Sequence, residues 1–282
     1  MSENIARIIS EISIEAGGRL MRHTPQLYRK YGSTPPVRIE PWASGVLIEV
    51  DKIFFLVTAA HVHREGNGDI NPEDIGIMTG NQFNILNGSI KIAHPSLHVN
   101  NDKVDLAIWR IEDGRVIDEL KTKYDFLSTN QLGIDHSPVE FSKYLVVGFP
   151  ITRTKLKTQT SKIIANPFIF LTKKSKQSIY DKLEFESHSN LILNYRKRKI
   201  KDSNGNVIQG PDPYGISGCG LWYLPELKMG VTPILVGIMT EWRSSLAAIV
   251  ATRIHIVTEV LRTEFGLPLQ KSAITKVNLY PN

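Results

Sequence analysis

The 282-residue sequence predicts an all-β protein with a helix near each end, and three observations carry that expectation. Beyond Ala43, apolar residues alternate or form short continuous runs, as in 45–50, 53–58 and 104–111, the patterns of half-buried and fully buried strands. Short turns punctuate the runs, with Asp51-Lys52 and Asn204-Gly205 suited to two-residue hairpins. Helical spacing appears only near the ends, in Ile5, Ile8, Ile9 and Ile12 and again in Ile256, Val257, Val260 and Leu261.

Taken in order, residues 3–22 read as a helix that Ser2 caps and Gly17-Gly18 weakens. Residues 23–41, with Pro25, Pro35, Pro36 and Pro41, read as an extended lead-in. Strands are expected at 45–50, 53–58, 75–78, 89–93 and 104–111, followed by a connector with helix-like content from Asp113 to about Ser142. Further strands are expected at 144–148, 163–172, 183–187, 191–195, 207–208, 220–223, 234–240 and 246–251. A helix over 253–264 closes the pattern, and 266–282 reads as a poorly specified tail.

Composition narrows the class. The chain is long enough for one large or two small β domains, and its 41% hydrophobic content suits a packed core. No apolar run approaches the length of a membrane span. The start, Met1-Ser2-Glu3-Asn4, is mildly acidic and leads into interrupted hydrophobics, so a secretory signal is not expected and the cytoplasm is. Cys219 is the only cysteine, which excludes an intrachain disulfide and fits a reducing compartment. The net charge of +6 is concentrated at Lys173-Lys174-Ser175-Lys176 and at 196–201. Without interleaved aromatics or a base-reading motif, these runs read as a solvated hairpin surface rather than a nucleic-acid site. The eight histidines show no metal-ligand spacing, and no cofactor is expected.

The chemistry centres on Tyr214-Gly215-Ile216-Ser217-Gly218-Cys219-Gly220-Leu221. A serine hydroxyl used as a nucleophile needs a base in reach and amide donors for the developing oxyanion. Gly215 can adopt the backbone angles that set its N–H beside that of Ser217. The plainer alternative is a glycine-rich loop before a strand. His61 leaves an apolar strand behind two alanines, with His63 as a rival base, and Asp105 opens another strand, with Asp102 as a rival carboxylate.

Together, Leu56-Val57-Thr58-Ala59-Ala60-His61-Val62, Val104-Asp105-Leu106-Ala107-Ile108-Trp109, Val147-Gly148-Phe149-Pro150 and the Ser217 stretch resemble the trypsin-like, chymotrypsin-fold serine peptidases, from about Trp42 to about Arg262. The resemblance implies two six-stranded antiparallel barrels, at 42–135 and 136–265, with His61 as general base, Asp105 as its orienting carboxylate and Ser217 as nucleophile. It implies an oxyanion hole from the amides of Gly215 and Ser217, and a substrate strand paired along Thr240, Glu241 and Trp242. Asp212 falls near the pocket floor of relatives and points to cleavage after Arg or Lys, whereas Pro211, Pro213 and the bulk of Trp242 point to a small or medium apolar residue there. The expected partners are a protein or peptide substrate and, for gating, a regulatory protein or the surrounding loops. A silent peptide-binding module and a serine esterase are the alternatives. Two further expectations concern His61, with a midpoint near 6.5, and Ile216, which should pack inward and hold the loop by burial rather than by pairing with a newly cut N-terminus.

Overall fold

The computed structural model describes residues 2–32, 37–65, 68–93, 103–157, 162–201 and 207–273. Its first half contains α1 (Ser2–Leu20), β1 (Gln26–Tyr31), β2 (Arg38–Ser44), β3 (Val46–Val50), β4 (Ile53–Thr58), the short β5 (Arg64–Glu65) and β6 (Gly68–Asp69), β7 (Ile75–Thr79), β8 (Gln82–Ile85), β9 (Ile90–Ala93), β10 (Leu106–Ile111) and α2 (Gly114–Lys121). The second half contains β11 (Lys143–Gly148), β12 (Thr154–Lys157), β13 (Lys162–Ala165), β14 (Phe168–Lys173), α3 (Gln177–Leu183), β15 (Asn190–Asn194), β16 (Ile200–Lys201), β17 (Val207–Ile208), β18 (Gly220–Leu224), β19 (Ile234–Arg243), β20 (Ala248–Arg253) and α4 (Ile254–Glu264). The protein is thus mostly β, built from antiparallel sheets.

In the first half the sheet orders are β2-β1-β7-β8 and β3-β4-β10-β9. Only Gly45 separates β2 from β3, so one bent chain segment passes from the first sheet to the second. The Asp51-Lys52 turn joins β3 to β4 with positive φ at both residues, the two-residue hairpin that the sequence predicts. In the second half one sheet runs β14-β11-β18-β19-β20-β15. It curls until its edges touch. Ser175 N–H donates to Ile192 carbonyl at 2.8 Å, and the Thr172 hydroxyl donates to Asn194 carbonyl at 2.5 Å.

The continuous apolar runs are explained by strands that bury both faces. In β3, Leu47 packs into the first-half interior while Val46, Ile48 and Val50 join a core shared between the halves. In β11, Tyr144 and Val146 face the second-half interior while Leu145 and Val147 enter the shared core. Ile12, Ala16 and Leu20 of α1, and Ile256, Val257, Val260 and Leu261 of α4, complete that shared core.

Several expectations are corrected. The lead-in contains two strands, β1 and β2; Pro41 lies on an edge strand next to a bulge, where a missing N–H removes no ladder bond. The glycine pair does not interrupt α1, and a Cβ at Gly17 would lie 2.6 Å from the Ile169 side chain, so the glycine lets the helix approach β14. The expected strand at 163–172 divides into β13 and β14 around Asn166-Pro167. The expected strand at 183–187 is absent: Ile179, Tyr180 and Leu183 are spaced as a helix face in α3, which ends where Glu184 turns left-handed at φ 54°. The last strand begins at Ala248 rather than 246, behind a turn that Ala247 closes at φ 48°. The Asn204-Gly205 turn, the Ser2 side chain and residues 274–282 of the tail lie outside what the structure describes.

Truncating Leu20, which is 2% exposed in the shared core, to alanine is expected to lower stability by about 2–5 kcal/mol, whereas Ile5→Ala, at a 54% exposed site on the same helix, changes it by less than about 0.5 kcal/mol. Denaturant unfolding of the two variants reads the contrast; equal losses would mean that α1 is not anchored as described.

Candidate active site

Antiparallel pairing brings the histidine and the aspartate together. Ala107 of β10 pairs with Thr58 of β4, so the residues just beyond this ladder, Asp105 on one strand and Ala60 on the other, face each other. His61 lies in a single 3-10 turn, Ala60–His63, at the exit of β4. Its backbone N–H donates to Asp105 Oδ1 at 3.0 Å and its ring Nδ1 lies 2.6 Å from Asp105 Oδ2. The carboxylate therefore holds both the turn and the ring. Among the described residues, His61 Nε2 has no hydrogen-bond partner and is left to face the adjoining cavity.

His63, the rival base, is placed differently. Its ring is 3% exposed, packs edge-on against Trp109 at 4.8 Å, and has no hydrogen-bond partner at either nitrogen. Burial pushes its pKa down to about 4. His61 shifts the other way. Burial opposes its charged form, but the hydrogen bond and charge of Asp105, aided by the Glu241 carboxylate, outweigh that cost and raise its pKa above the ordinary 6.5. The expected midpoint of 6.5 is therefore too low. The rival carboxylate, Asp102, lies outside the described residues.

Ser217 sits in a loop held from two sides. On one side, Ser44 N–H donates to Ser217 carbonyl at 2.9 Å and the Ser44 hydroxyl donates to Gly215 carbonyl at 2.8 Å. On the other, Gly218 N–H donates to Met239 carbonyl at 2.7 Å. Ile151 N–H fastens Tyr214 carbonyl at 2.8 Å. With the carbonyls so engaged, the N–H groups of Gly215 and Ser217 donate to no partner among the described residues. Gly215 has φ +91°, and a Cβ there would come within 2.8 Å of Phe149 carbonyl. Ile216 is fully buried, and a Cβ on Gly148 would lie 2.9 Å from the Ile216 Cβ, so the loop is packed inward as the sequence predicts.

His61, Asp105, Gly215 and Ser217 line one cavity of about 770 Å³. Thr240, Glu241 and Trp242 line it too, with Trp242 set edge-on to Tyr214 at 6.2 Å and Glu241 paired with Arg243 at 2.5 Å. Asp212 does not. Its carboxylate pairs with Lys197, and it is not part of the cavity wall. Cys219 is fully buried, and burial pushes its thiol pKa up, so it offers no nucleophile. Among the described residues no group of three or more His, Cys, Asp or Glu side chains is placed to hold a metal ion. Nor is any described helix long and apolar enough to cross a membrane.

One residue at this site, Ser44, escapes the motif reading. Ser44 is fully buried; its hydroxyl also accepts Phe149 N–H at 3.0 Å, and its carbonyl accepts the Thr58 hydroxyl at 2.8 Å. Its signal in the sequence is faint: Ala43-Ser44-Gly45, three small residues between apolar strands, marks a place where backbones approach closely. Compared with known proteins, the chain matches no family model and no curated protein.

In an NMR titration, the His61 midpoint is expected above 6.5 in the wild type and lower in Asp105→Asn, with a smaller downward move in Glu241→Gln. A wild-type midpoint no higher than that of Asp105→Asn would show that the pair is not formed in solution. Ser44→Ala strands the buried Phe149 N–H and Gly215 carbonyl and should cost about 1–3 kcal/mol, measured by thermal unfolding.

Proposed function

We propose that the protein is a serine endopeptidase of the trypsin-like mould. The observation that carries this is the pairing of an Asp105-held imidazole, its outer nitrogen free, with a serine whose own N–H and that of Gly215 are both unengaged, all facing one cavity. In this mechanism Ser217 Oγ attacks the carbonyl carbon of a peptide bond while His61 Nε2 takes the hydroxyl proton. The carbonyl oxygen becomes an oxyanion between the amides of Gly215 and Ser217. His61 then returns the proton to the leaving amine as the C–N bond breaks, and water, activated by the same imidazole, releases the acyl group. Asp105 keeps the Nδ1 proton facing inward and stabilises the imidazolium. In the resting protein the Ser217 hydroxyl and His61 Nε2 share no hydrogen bond among the described residues; hydrogen bonds of this kind often tighten only with substrate bound.

The β architecture is compatible with two six-stranded barrels. The β2–β3 continuity at Gly45 supports this for the first half and the meeting of β14 with β15 supports it for the second. For specificity, neutralisation of Asp212 by Lys197 and the aromatic wall of Tyr214 and Trp242 favour a small or medium apolar residue before the scissile bond.

A fluorophosphonate probe is expected to label the intact, unprocessed chain at Ser217 and to leave Ser217→Ala unlabelled. A peptide-library digest then separates peptidase from esterase, and a chain that takes no label is a binding module. Ser217→Ala, His61→Ala and the double variant should share one residual rate, because groups acting as a unit do not lose activity additively. Activity should fall as pH drops through a midpoint above 6.5, where His61 takes up its proton and ceases to be a base. Asp212→Ser is expected to leave the cleavage preference unchanged; loss of cleavage after basic residues would return Asp212 to the pocket.

A further inference from the structure

We infer that the groove between β14 and β15 is a docking site for an acidic peptide segment of another protein, one in which carboxylates flank aliphatic side chains. Two cationic runs that the sequence separates come together here because the sheet edges meet. Ser175 N–H reaches Ile192 carbonyl at 2.8 Å, and the isolated bridge of Lys174 with Leu193 continues the contact. The groove encloses about 1420 Å³. Lys143, Lys173, Lys174 and Lys176 line it with Arg196, Arg198 and Lys199, against one carboxylate among the described residues, that of Glu140.

Among the described residues, none of these cations is ion-paired, although cations elsewhere on the surface are, as Arg29 is with Glu65 and Arg110 with Glu112. Lys174 alone has a local contact, with its ammonium 5.4 Å from the Tyr180 ring. Like charges held this close repel one another, and an anionic partner relieves the repulsion. Neighbouring Lys197 is already paired with Asp212.

A second observation points the same way. Ser175 lines the groove, is 4% exposed, and its hydroxyl has no hydrogen-bond partner. A carboxylate entering the groove would supply the missing acceptor. The rest of the lining mixes polar side chains such as Thr172 and Asn194 with aliphatic ones: Leu171, Ile179, Ile200, Leu246 and the 64% exposed Val207. Among the described residues Phe170 is the one aromatic lining the groove, and it is 5% exposed. A nucleic acid would lack a ring to stack on, whereas aliphatic side chains between carboxylates find apolar surface. The turn Ser244–Leu246 joins the groove to Arg243 on the wall of the Ser217 cavity, so a docked segment lies beside that cavity.

The test uses the full chain carrying Ser217→Ala, so that binding is measured without turnover and independently of the peptidase reading. A fluorescein-labelled peptide of alternating glutamate and leucine is titrated by anisotropy at near-physiological salt, beside an all-glutamate peptide and a labelled oligothymidylate. The glutamate–leucine peptide is expected to bind most tightly. Lys173→Glu, Arg198→Glu and Lys199→Glu combined should weaken it about tenfold. Lys52→Glu, Arg115→Glu and Lys228→Glu combined, the same change in net charge placed elsewhere, should leave it within about twofold. Ser175→Ala should weaken it a few-fold without lowering the melting temperature. Equal losses in the two charge-reversed variants, tighter binding of the oligonucleotide, equal binding of the all-glutamate peptide, or no binding would each overturn the proposal. Should the groove variant unfold, the Ser175→Ala comparison and the three-ligand ranking on the parent chain decide alone.

Discussion

The structure depends most on the seam where Ser44 meets the loop that carries Ser217. Ser44 is fully buried and uses its N–H, carbonyl and hydroxyl there, on Ser217, Thr58, Gly215 and Phe149. No water can replace these partners without opening the interface, so each bond is worth more than its exposed counterpart. The closeness of the seam dictates its composition. A Cβ on Gly218 would lie 2.0 Å from the Thr58 hydroxyl oxygen and 2.2 Å from Ser44 carbonyl, and φ there is +87°, so only glycine fits on both counts.

This seam has an electrostatic consequence. The Gly215 N–H shares its peptide unit with the Tyr214 carbonyl, which Ile151 N–H fastens, while the seam holds the carbonyls of Gly215 and Ser217 on either side of Ile216; among the described residues the amides of Gly215 and Ser217 are left without an acceptor. Preorganised donors of this kind hold their orientation before any charge develops. The neighbouring Ile216, buried in the second-half interior, fixes the loop from the opposite direction without a charged partner.

Environment, not residue type, separates the two histidines of the Ala60–His63 turn. Facing the packed interior against Trp109, His63 loses its affinity for a proton; facing the cavity and braced by Asp105, His61 gains it. The carboxylates divide in the same way. Asp105 braces an imidazole and Asp212 is paired with Lys197 away from the cavity wall. The cations around β14 and β15 follow the converse logic, since the curl of the sheet gathers them faster than the chain supplies acids to neutralise them.

By itself the sequence determined the β class, the helices at both ends and the Asp51-Lys52 hairpin, because local propensity is a property of neighbouring residues, while the grouping of His61, Asp105 and Ser217, which line one cavity, was legible only through the resemblance of their short motifs to a known family. It also announced the inward packing of Ile216, since an isoleucine between a glycine and a serine in such a loop has few polar uses. Only the tertiary structure decided that β1 and β2 are strands despite Pro41 within β2 and the prolines that flank both, because their hydrogen bonds go to partners distant in the chain. The helix at 177–183 was legible in its spacing of Ile179, Tyr180 and Leu183, but seven residues give too short a period to outweigh the surrounding strand pattern. The partner of Asp212, the raised pKa of His61 and the role of Ser44 are long-range facts. Each is set by a residue 15 or more positions away, Lys197 for the first, Asp105 for the second and Gly215 for the third, and no local pattern encodes which distant group will arrive.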